Sequence, residues 1–194
     1  MATKSSNRDK LLTEGLRLVH ERGYMGASVR DIVSAAGVPQ GSFTNHFTSK
    51  EAFGLEVLDL YFEGNRHVIR DTLLNDALPP LQRLGAYIDA NLTRLSRDEM
   101  RYGCLYGNFS AEASDHSESI RHRLVDIFDE VQGAVTYCLR VAVAHGDLPA
   151  STDCDDFAAY FVASLQGAFL LAKARRTSVP VERFKRLVFT KLLT

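Results

Sequence analysis

Apolar residues recur at intervals near 3.6 residues along almost the whole chain, which is the spacing of helices that bury one face. The first such stripe is Leu11, Gly15, Leu18 and Val19, and the second is Val29, Ile32, Val33 and Ala36. No run of alternating β-branched residues indicates a strand. The pattern predicts an all-α fold.

Residues that start and stop helices divide this pattern into segments. Gly23 and Gly37 end the first two helices, and a third short segment runs from Pro39 to Phe47. Two pairs resemble capping boxes that begin helices. They are Ser28 with Asp31, and Thr48 with Glu51.

Charge is distributed unevenly over the 194 residues. The net charge is −1, yet residues 1–50 hold seven Lys/Arg against four acidic residues. The chain therefore has a mildly basic N-terminal region on an acidic remainder, although its overall charge carries no basic signature for nucleic acid.

Three dispersed cysteines predict neither a disulfide scaffold nor a zinc site. No metal and no cofactor is expected, since His116 and His122 beside Glu118 fit a polar helix start. No apolar stretch reaches the length of a membrane span and the N-terminus is polar, so a cytoplasmic protein without membrane contact is expected. No nucleophile elbow, P-loop or dinucleotide motif supports an enzyme. A helical enzyme or small-molecule-binding protein without DNA activity stays open as the alternative.

Residues 28–50 read SVRDIVSAAGVPQGSFTNHFTSK, two short helices joined by a tight turn at Gly37 and Val38. The second helix carries hydrogen-bonding side chains of the kind that contact base edges, and a lysine follows that can meet a phosphate. This arrangement is typical of a helix-turn-helix. The candidate DNA-binding residues are Ser28, Arg30, Gln40, Ser42, Thr44, Asn45, His46 and Lys50.

Residues 8–60, through GASVRDIVSAAGVPQGSFTNHFTSKEAF, resemble the DNA-binding domain of the TetR family of bacterial repressors. The resemblance implies a three-helix DNA-binding domain over residues 1–48 and a helical domain over 49–194 that senses an effector and dimerises. It also implies a homodimer on a palindromic operator in double-stranded DNA. The family usually has a tyrosine at the position of Thr44, and that tyrosine commonly touches the DNA backbone.

A second set of motifs resembles the NemR-like branch of that family, whose members respond to electrophiles. The motifs are Gly103-Cys104-Leu105, Ser110-Ala111-Glu112, Leu165-x-Gly167-Ala168 and Leu171-Ala172-Lys173. The resemblance implies that Cys104 senses oxidants or electrophiles, that Lys173 is its partner, and that the signal releases the repressor from DNA. Two alternatives stay open. Cys104 can be an inert packed thiol, or a small-molecule effector can bind in a pocket lined by Tyr87, Tyr102, Tyr106 and Phe109.

The segment 153–176 is apolar nearly all round, so we expect it to be buried on more than one side. With residues 181–193 it is the expected dimer face. The interface is predicted around Phe161, Leu165, Phe169 and Phe184.

Overall fold

The computed structural model describes residues 6–193, without the side chain of Leu192. This part of the chain contains α-helices and no strand, so the all-α prediction is confirmed for it. The helices are α1 Asn7–Arg22, α2 Val29–Ala36, α3 Ser42–His46, α4 Lys50–Asp71, α5 Pro80–Ser96, α6 Leu105–Ala113, α7 Glu118–His145, α8 Cys154–Arg175 and α9 Val179–Leu187. One π-helical turn, Val188–Leu192, follows α9.

The described chain divides into two compact units, and the division falls within α4 and within α7. The first unit comprises residues 6–63 and 105–124, and the second comprises residues 64–104 and 125–193. The domain boundary expected at residue 48 stays a prediction. The compact units follow a different grouping, because α6 and the start of α7 belong with the N-terminal helices.

The core of the first unit begins with the predicted stripe of α1. Its buried residues are Leu11, Gly15, Leu18 and Val19, and α2 buries Ile32, Val33 and Ala36. Gly37 ends α2 in the left-handed conformation that favours glycine. Both short-range predictions are confirmed, since the buried faces and the stop of α2 are where the sequence placed them.

Three phenylalanines close this core beneath α3. The ring centroids of Phe43, Phe47 and Phe53 lie 5.0–5.3 Å from one another, and all three side chains are buried. A Cβ on Gly15 would lie 2.3 Å from Cζ of Phe53. The absence of a side chain at Gly15 therefore lets α1 approach the aromatic cluster.

Of the two predicted capping boxes, one is confirmed and one is wrong. Ser28 and Asp31 form the predicted capping box of α2. At α4 the predicted pair is wrong: the helix begins at Lys50, and Ser49 Oγ accepts the hydrogen bond of the Ala52 N–H at 3.0 Å. The cap is the residue directly before the helix, and the chain extends one residue past Thr48 before turning helical.

In the second unit, an arginine is buried under the start of α5. Only 2% of Arg83 is exposed, and its guanidinium donates to the carbonyl of Leu78 at 2.8 Å and to Asp76 at 2.6 Å. Cys138 on α7 is also buried and donates to the carbonyl of Pro80 at 3.1 Å. These bonds fix the turn that leads into α5 and satisfy the buried polar groups.

Helix α8 buries its large residues within its own chain. Phe161, Leu165, Phe169 and Phe184 of α9 are all buried in the second unit, and the rings of Phe161 and Phe184 meet edge to face at 5.2 Å. These four side chains already form core within one protomer and so offer little area to a partner, and the dimer interface predicted around them stays a prediction. The exposed apolar residues lie on the opposite side of α8, where 68% of Leu170 is exposed.

The expectation that no segment reaches the length of a membrane span needs correction. By length and composition α8, with 22 residues, could cross a bilayer. A core helix of a soluble protein passes the same test. Because one face of α8 packs on α9 and carries the buried residues named above, its apolar character follows from packing.

Candidate nucleic-acid interface and sensing site

Helix α3 buries Ser42 and Phe43 and exposes its other three side chains. Thr44, Asn45 and His46 are exposed, as is Gln40 in the turn before the helix. Arg30 is exposed on α2. Thr44 Oγ1 donates to the carbonyl of Gly41 at 3.1 Å, so its proton is engaged within the turn. The five residues together present amide, imidazole, guanidinium and hydroxyl groups to solvent.

The two predicted DNA-binding serines have local roles in the fold, and the DNA contact predicted for Ser28 stays a prediction. Ser42 is only 6% exposed, so its place on the outward face is corrected: it is the first residue of α3 and turns inward. Ser28 is exposed, and its Oγ accepts the hydrogen bond of the Asp31 N–H at 3.1 Å. Hydrogen bonds from Ser28 to the Asp31 carboxylate lower the pKa of that carboxyl. Ser28 therefore defines the start of α2.

Lys50 begins α4 and lies half-buried against an aromatic ring. Its Nζ is 4.7 Å from the ring centroid of Tyr24, a cation–π distance. Burial lowers the pKa of the Lys50 amino group, and the negative charge of Glu112 opposes that effect. The Lys50 ammonium is therefore held against the Tyr24 ring within the first unit.

The predicted sensing pair lies in the second unit. Gly103 has φ +66°, and a Cβ there would be 2.8 Å from Cδ and 3.3 Å from Cβ of Lys173. The Lys173 side chain therefore lies against the residue that precedes Cys104. Cys104 is half-buried, and burial raises the pKa of nearby Tyr87 to about 12, with a smaller contribution from the Cys104 charge.

Two family models match these regions. The model of bacterial regulatory proteins of the tetR family matches residues 11–57, and the model of the tetracyclin repressor-like C-terminal domain matches residues 80–188, more than half of the chain. The chain belongs to the TetR family. It is a DNA-binding transcriptional regulator rather than an enzyme, as its named relatives are.

This TetR-family regulator is similar along nearly its whole length to characterised members. It is 39% identical over 186 residues to the transcriptional repressor DhaR of Mycobacterium sp. strain GP1, which covers 96% of this chain and 92% of DhaR. The crystal structure of the reduced form of Escherichia coli NemR superposes with a TM-score of 0.86 at 30% identity, covering 94% of both chains. A cysteine mutant of CifR in complex with a 26-base-pair operator superposes with a TM-score of 0.80 at 28% identity, covering 95% of this chain and 98% of CifR.

The four residues expected to line an effector pocket belong to different units of the TetR-family chain. Tyr87 is buried and Tyr102 half-buried in the second unit. In the first unit, Tyr106 meets the ring of Tyr61 edge to face at 5.0 Å, and Phe109 packs on Tyr24 at 4.9 Å. Tyr106 and Phe109 already have aromatic neighbours, and the pocket stays a prediction.

The other two cysteines differ from Cys104 in their surroundings. Burial raises the pKa of the Cys138 thiol to about 11 and also raises that of Cys154. All three cysteines are free of disulfides. Across residues 6–193, no three His, Cys, Asp or Glu side chains are grouped as metal ligands.

Sequence reasoning missed the roles of two charged residues, Arg8 and Glu112, in the first unit of this regulator. Arg8 forms an ion pair with Glu56 and lies 5.7 Å from the ring centroid of Phe47. Glu112 accepts a hydrogen bond from the backbone N–H of Met25 at 3.0 Å. Their partners are 39 to 87 residues away in the sequence, so no local pattern signals them.

Proposed function

We propose that this regulator is a homodimeric repressor that leaves its palindromic operator when an oxidant or electrophile modifies Cys104. The observation that carries the proposal is the packing of the Lys173 side chain against Gly103, one residue from Cys104. Its relative DhaR is named a repressor, and the structure of NemR is described as the reduced form of that protein. Both descriptions support repression and a role for redox state.

The chemistry needs a thiolate with access to solvent and a nearby cation. Cys104 is half-buried rather than sealed, and Lys173 supplies an ammonium group on the adjacent helix α8. With N-ethylmaleimide, the thiolate sulfur bonds to an alkene carbon, and the neighbouring carbon takes a proton from water. The adduct enlarges a side chain packed between the loop before α6 and helix α8, which favours a different arrangement of that region.

Operator binding in this proposal uses the exposed residues Arg30, Gln40, Asn45 and His46, with Lys50 at a phosphate. Asn and Gln can pair bidentately with adenine, and Lys and Arg neutralise phosphates. Ser42 is no longer included, since its side chain is buried. The operator complex of CifR supports this use of the family's DNA-binding domain.

A second copy of the chain is proposed to cover the exposed apolar face of α8. Small residues at Ala163 and Gly167 leave room for a neighbouring helix, and Leu170 and Leu171 supply exposed apolar surface. Gly167, Leu170 and Leu171, together with parts of α9, line a groove of about 510 Å³. A two-fold dimer is the usual assembly for binding a palindrome.

The deciding experiment measures release from DNA by the Cys104→Ser variant. Wild-type protein and variant are bound to the DNA upstream of the regulator's own gene and treated with N-ethylmaleimide or hypochlorite. If the thiol is the switch, Cys104→Ser binds this DNA normally and stays bound after treatment. The matched control Cys154→Ser, at a free cysteine on α8, is released as the wild type is.

A second variant tests the role of the cation. Lys173→Met keeps the side-chain length but removes the ammonium, so modification of Cys104 by N-ethylmaleimide at pH 7 should slow, measured by mass spectrometry. Lys185→Met, which removes a lysine paired with Asp89 instead, is the control. Unchanged release of Cys104→Ser would contradict the thiol switch and favour a reversible ligand in the predicted aromatic pocket.

A further inference from the structure

The loop of residues 23–28, which joins α1 to α2, closes around a carboxylate from a distant part of the chain. The Met25 N–H donates to Glu112 Oε2 at 3.0 Å. A Cβ on Gly23 would lie 2.5 Å from Glu112 Oε1, so any side chain there would overlap the carboxylate. Gly23 also has φ +83°, a conformation that favours glycine. The loop conformation therefore fits Glu112.

Helix α6 makes a second contact with the same loop, one turn before Glu112. The ring of Phe109 lies 4.9 Å from that of Tyr24, and both side chains are buried. Residues three apart on a helix lie on the same face. One face of α6 thus holds two consecutive loop residues, Tyr24 by ring packing and Met25 by a hydrogen bond.

The residues held by α6 also support Lys50, the proposed phosphate contact. The Lys50 Nζ rests 4.7 Å from the centre of the Tyr24 ring. The negative charge of Glu112 acts on that ammonium and raises its pKa against the effect of burial. A change at Glu112 therefore reaches Lys50 through charge, whereas the Tyr24 ring beneath Lys50 is held by Phe109 of the same helix.

The loop also sets where α2 begins. Only Gly26 and Ala27 separate Met25 from Ser28, the residue that caps α2. Three residues of chain span at most about 10 Å, so a fixed Met25 restricts the position of the helix start. Ala27 is fully buried, and its packing further restricts the conformation of residues 26 and 27.

We propose that Glu112 is a positioning residue for sequence-specific DNA binding. It lies outside the helix-turn-helix, fixes the start of α2 through Met25 and places a negative charge near Lys50. This inference rests on the proposed operator binding and adds to it a residue from α6.

The test compares Glu112→Ala with Glu118→Ala, a matched loss of one carboxylate whose partner is the exposed Arg121. Affinity is measured by fluorescence anisotropy for a duplex that the wild-type protein selects from a random library, and for a scrambled duplex of equal length. We expect Glu112→Ala to bind the selected duplex about tenfold more weakly, the size of one charge-assisted hydrogen bond. Its affinity for the scrambled duplex should not fall, because a negative charge has been removed. Glu118→Ala should keep the wild-type preference for the selected duplex.

Amide hydrogen exchange at Met25 reports on the hydrogen bond itself, and it should be faster in Glu112→Ala. Affinities that fall in parallel for both duplexes, a preference equal to that of Glu118→Ala, or unchanged exchange at Met25 would each overturn the proposal. If Glu112→Ala does not fold, Glu112→Gln decides through its weaker neutral hydrogen bond. If Glu112→Gln prefers the selected duplex over the scrambled one as strongly as the wild type does, the proposal is overturned. A loss of about threefold in affinity for the selected duplex supports it. A wild-type protein with no preference for any selected duplex would refute operator binding itself.

Discussion

Replacing Gly103 by alanine tests the contact on which the sensing proposal rests. The backbone at Gly103 has φ +66°, where a residue with a Cβ costs roughly 1–2 kcal/mol. The new Cβ would also lie 2.8 Å from Cδ of Lys173. Displacing this flexible side chain adds about 1 kcal/mol, the low end of overpacking. We therefore expect Gly103→Ala to lower the free energy of unfolding by about 2–3 kcal/mol.

A double-mutant cycle separates these two contributions. In Lys173→Ala the Cγ and Cδ atoms are absent, and the nearest remaining atom of residue 173 is its Cβ at 3.3 Å. Gly103→Ala should then destabilise by only about 1–2 kcal/mol, which gives a coupling near 1 kcal/mol. Gly146→Ala is the matched control, because Gly146 has φ +80° and no atom within 4 Å of the Cβ position. Gly146→Ala should change the free energy of unfolding by the same amount in the wild-type protein and in Lys173→Ala.

Urea unfolding followed by circular dichroism measures the four free energies of the cycle. All variants are compared at one protein concentration, because dimerisation would make stability depend on it. Additivity of Gly103→Ala and Lys173→Ala within about 0.5 kcal/mol would refute the reasoning. Lys173 would then not lie against Gly103, and the proposed proximity of its ammonium to Cys104 would lose its basis.

Three further outcomes are expected. Lys50→Ala should weaken binding alike on all DNA sequences and lower the salt slope by about two for a dimer, and an unchanged slope would exclude Lys50 as a phosphate contact. Leu170→Glu should sediment as a folded monomer, whereas Phe161→Glu should fail to fold, and a dimer of Leu170→Glu would place the interface elsewhere. In native protein at pH 8, N-ethylmaleimide should label Cys104 well before Cys138, whose pKa of about 11 keeps the thiol protonated; equal labelling rates would contradict this.

The buried faces of short helices could be predicted from the sequence because local spacing determines them. On the longer α4, helical spacing predicts that the buried face is formed by Phe53, Val57, Leu60, Tyr61, Gly64 and Val68. The structure instead exposes 42% of Leu60 and buries Asn65, whose side chain accepts a hydrogen bond from Arg94 at 3.4 Å. Polarity alone predicts that Asn65 is exposed, because the sequence does not show that another residue will form a hydrogen bond with its amide.

The proposed DNA-binding surface was predictable for a similar reason, and the support beneath it was not. The order of caps, turn glycine and polar residues in 28–50 is contained in a single segment. By contrast, the hydrogen bond from Met25 to Glu112 joins residues 87 positions apart. Its existence depends on how α6 packs, and a single sequence carries no local signal of that packing. Glu112 stood out as part of the motif Ser110-Ala111-Glu112, but its contact with the loop after α1 could not be predicted.

Helix α8 shows why an apolar pattern alone does not identify an interface. Both of its faces are apolar, but the inward face carries Phe161 and Phe169, while the outward face carries Gly167 and leucines. Large side chains fill a core within the protomer, whereas small ones allow a second helix to approach closely. Charge then favours one orientation for the proposed dimer, since α8 carries Asp156 in its first turn and Arg175 in its last. An antiparallel copy would bring these opposite charges together, and a parallel copy would oppose like charges at both ends.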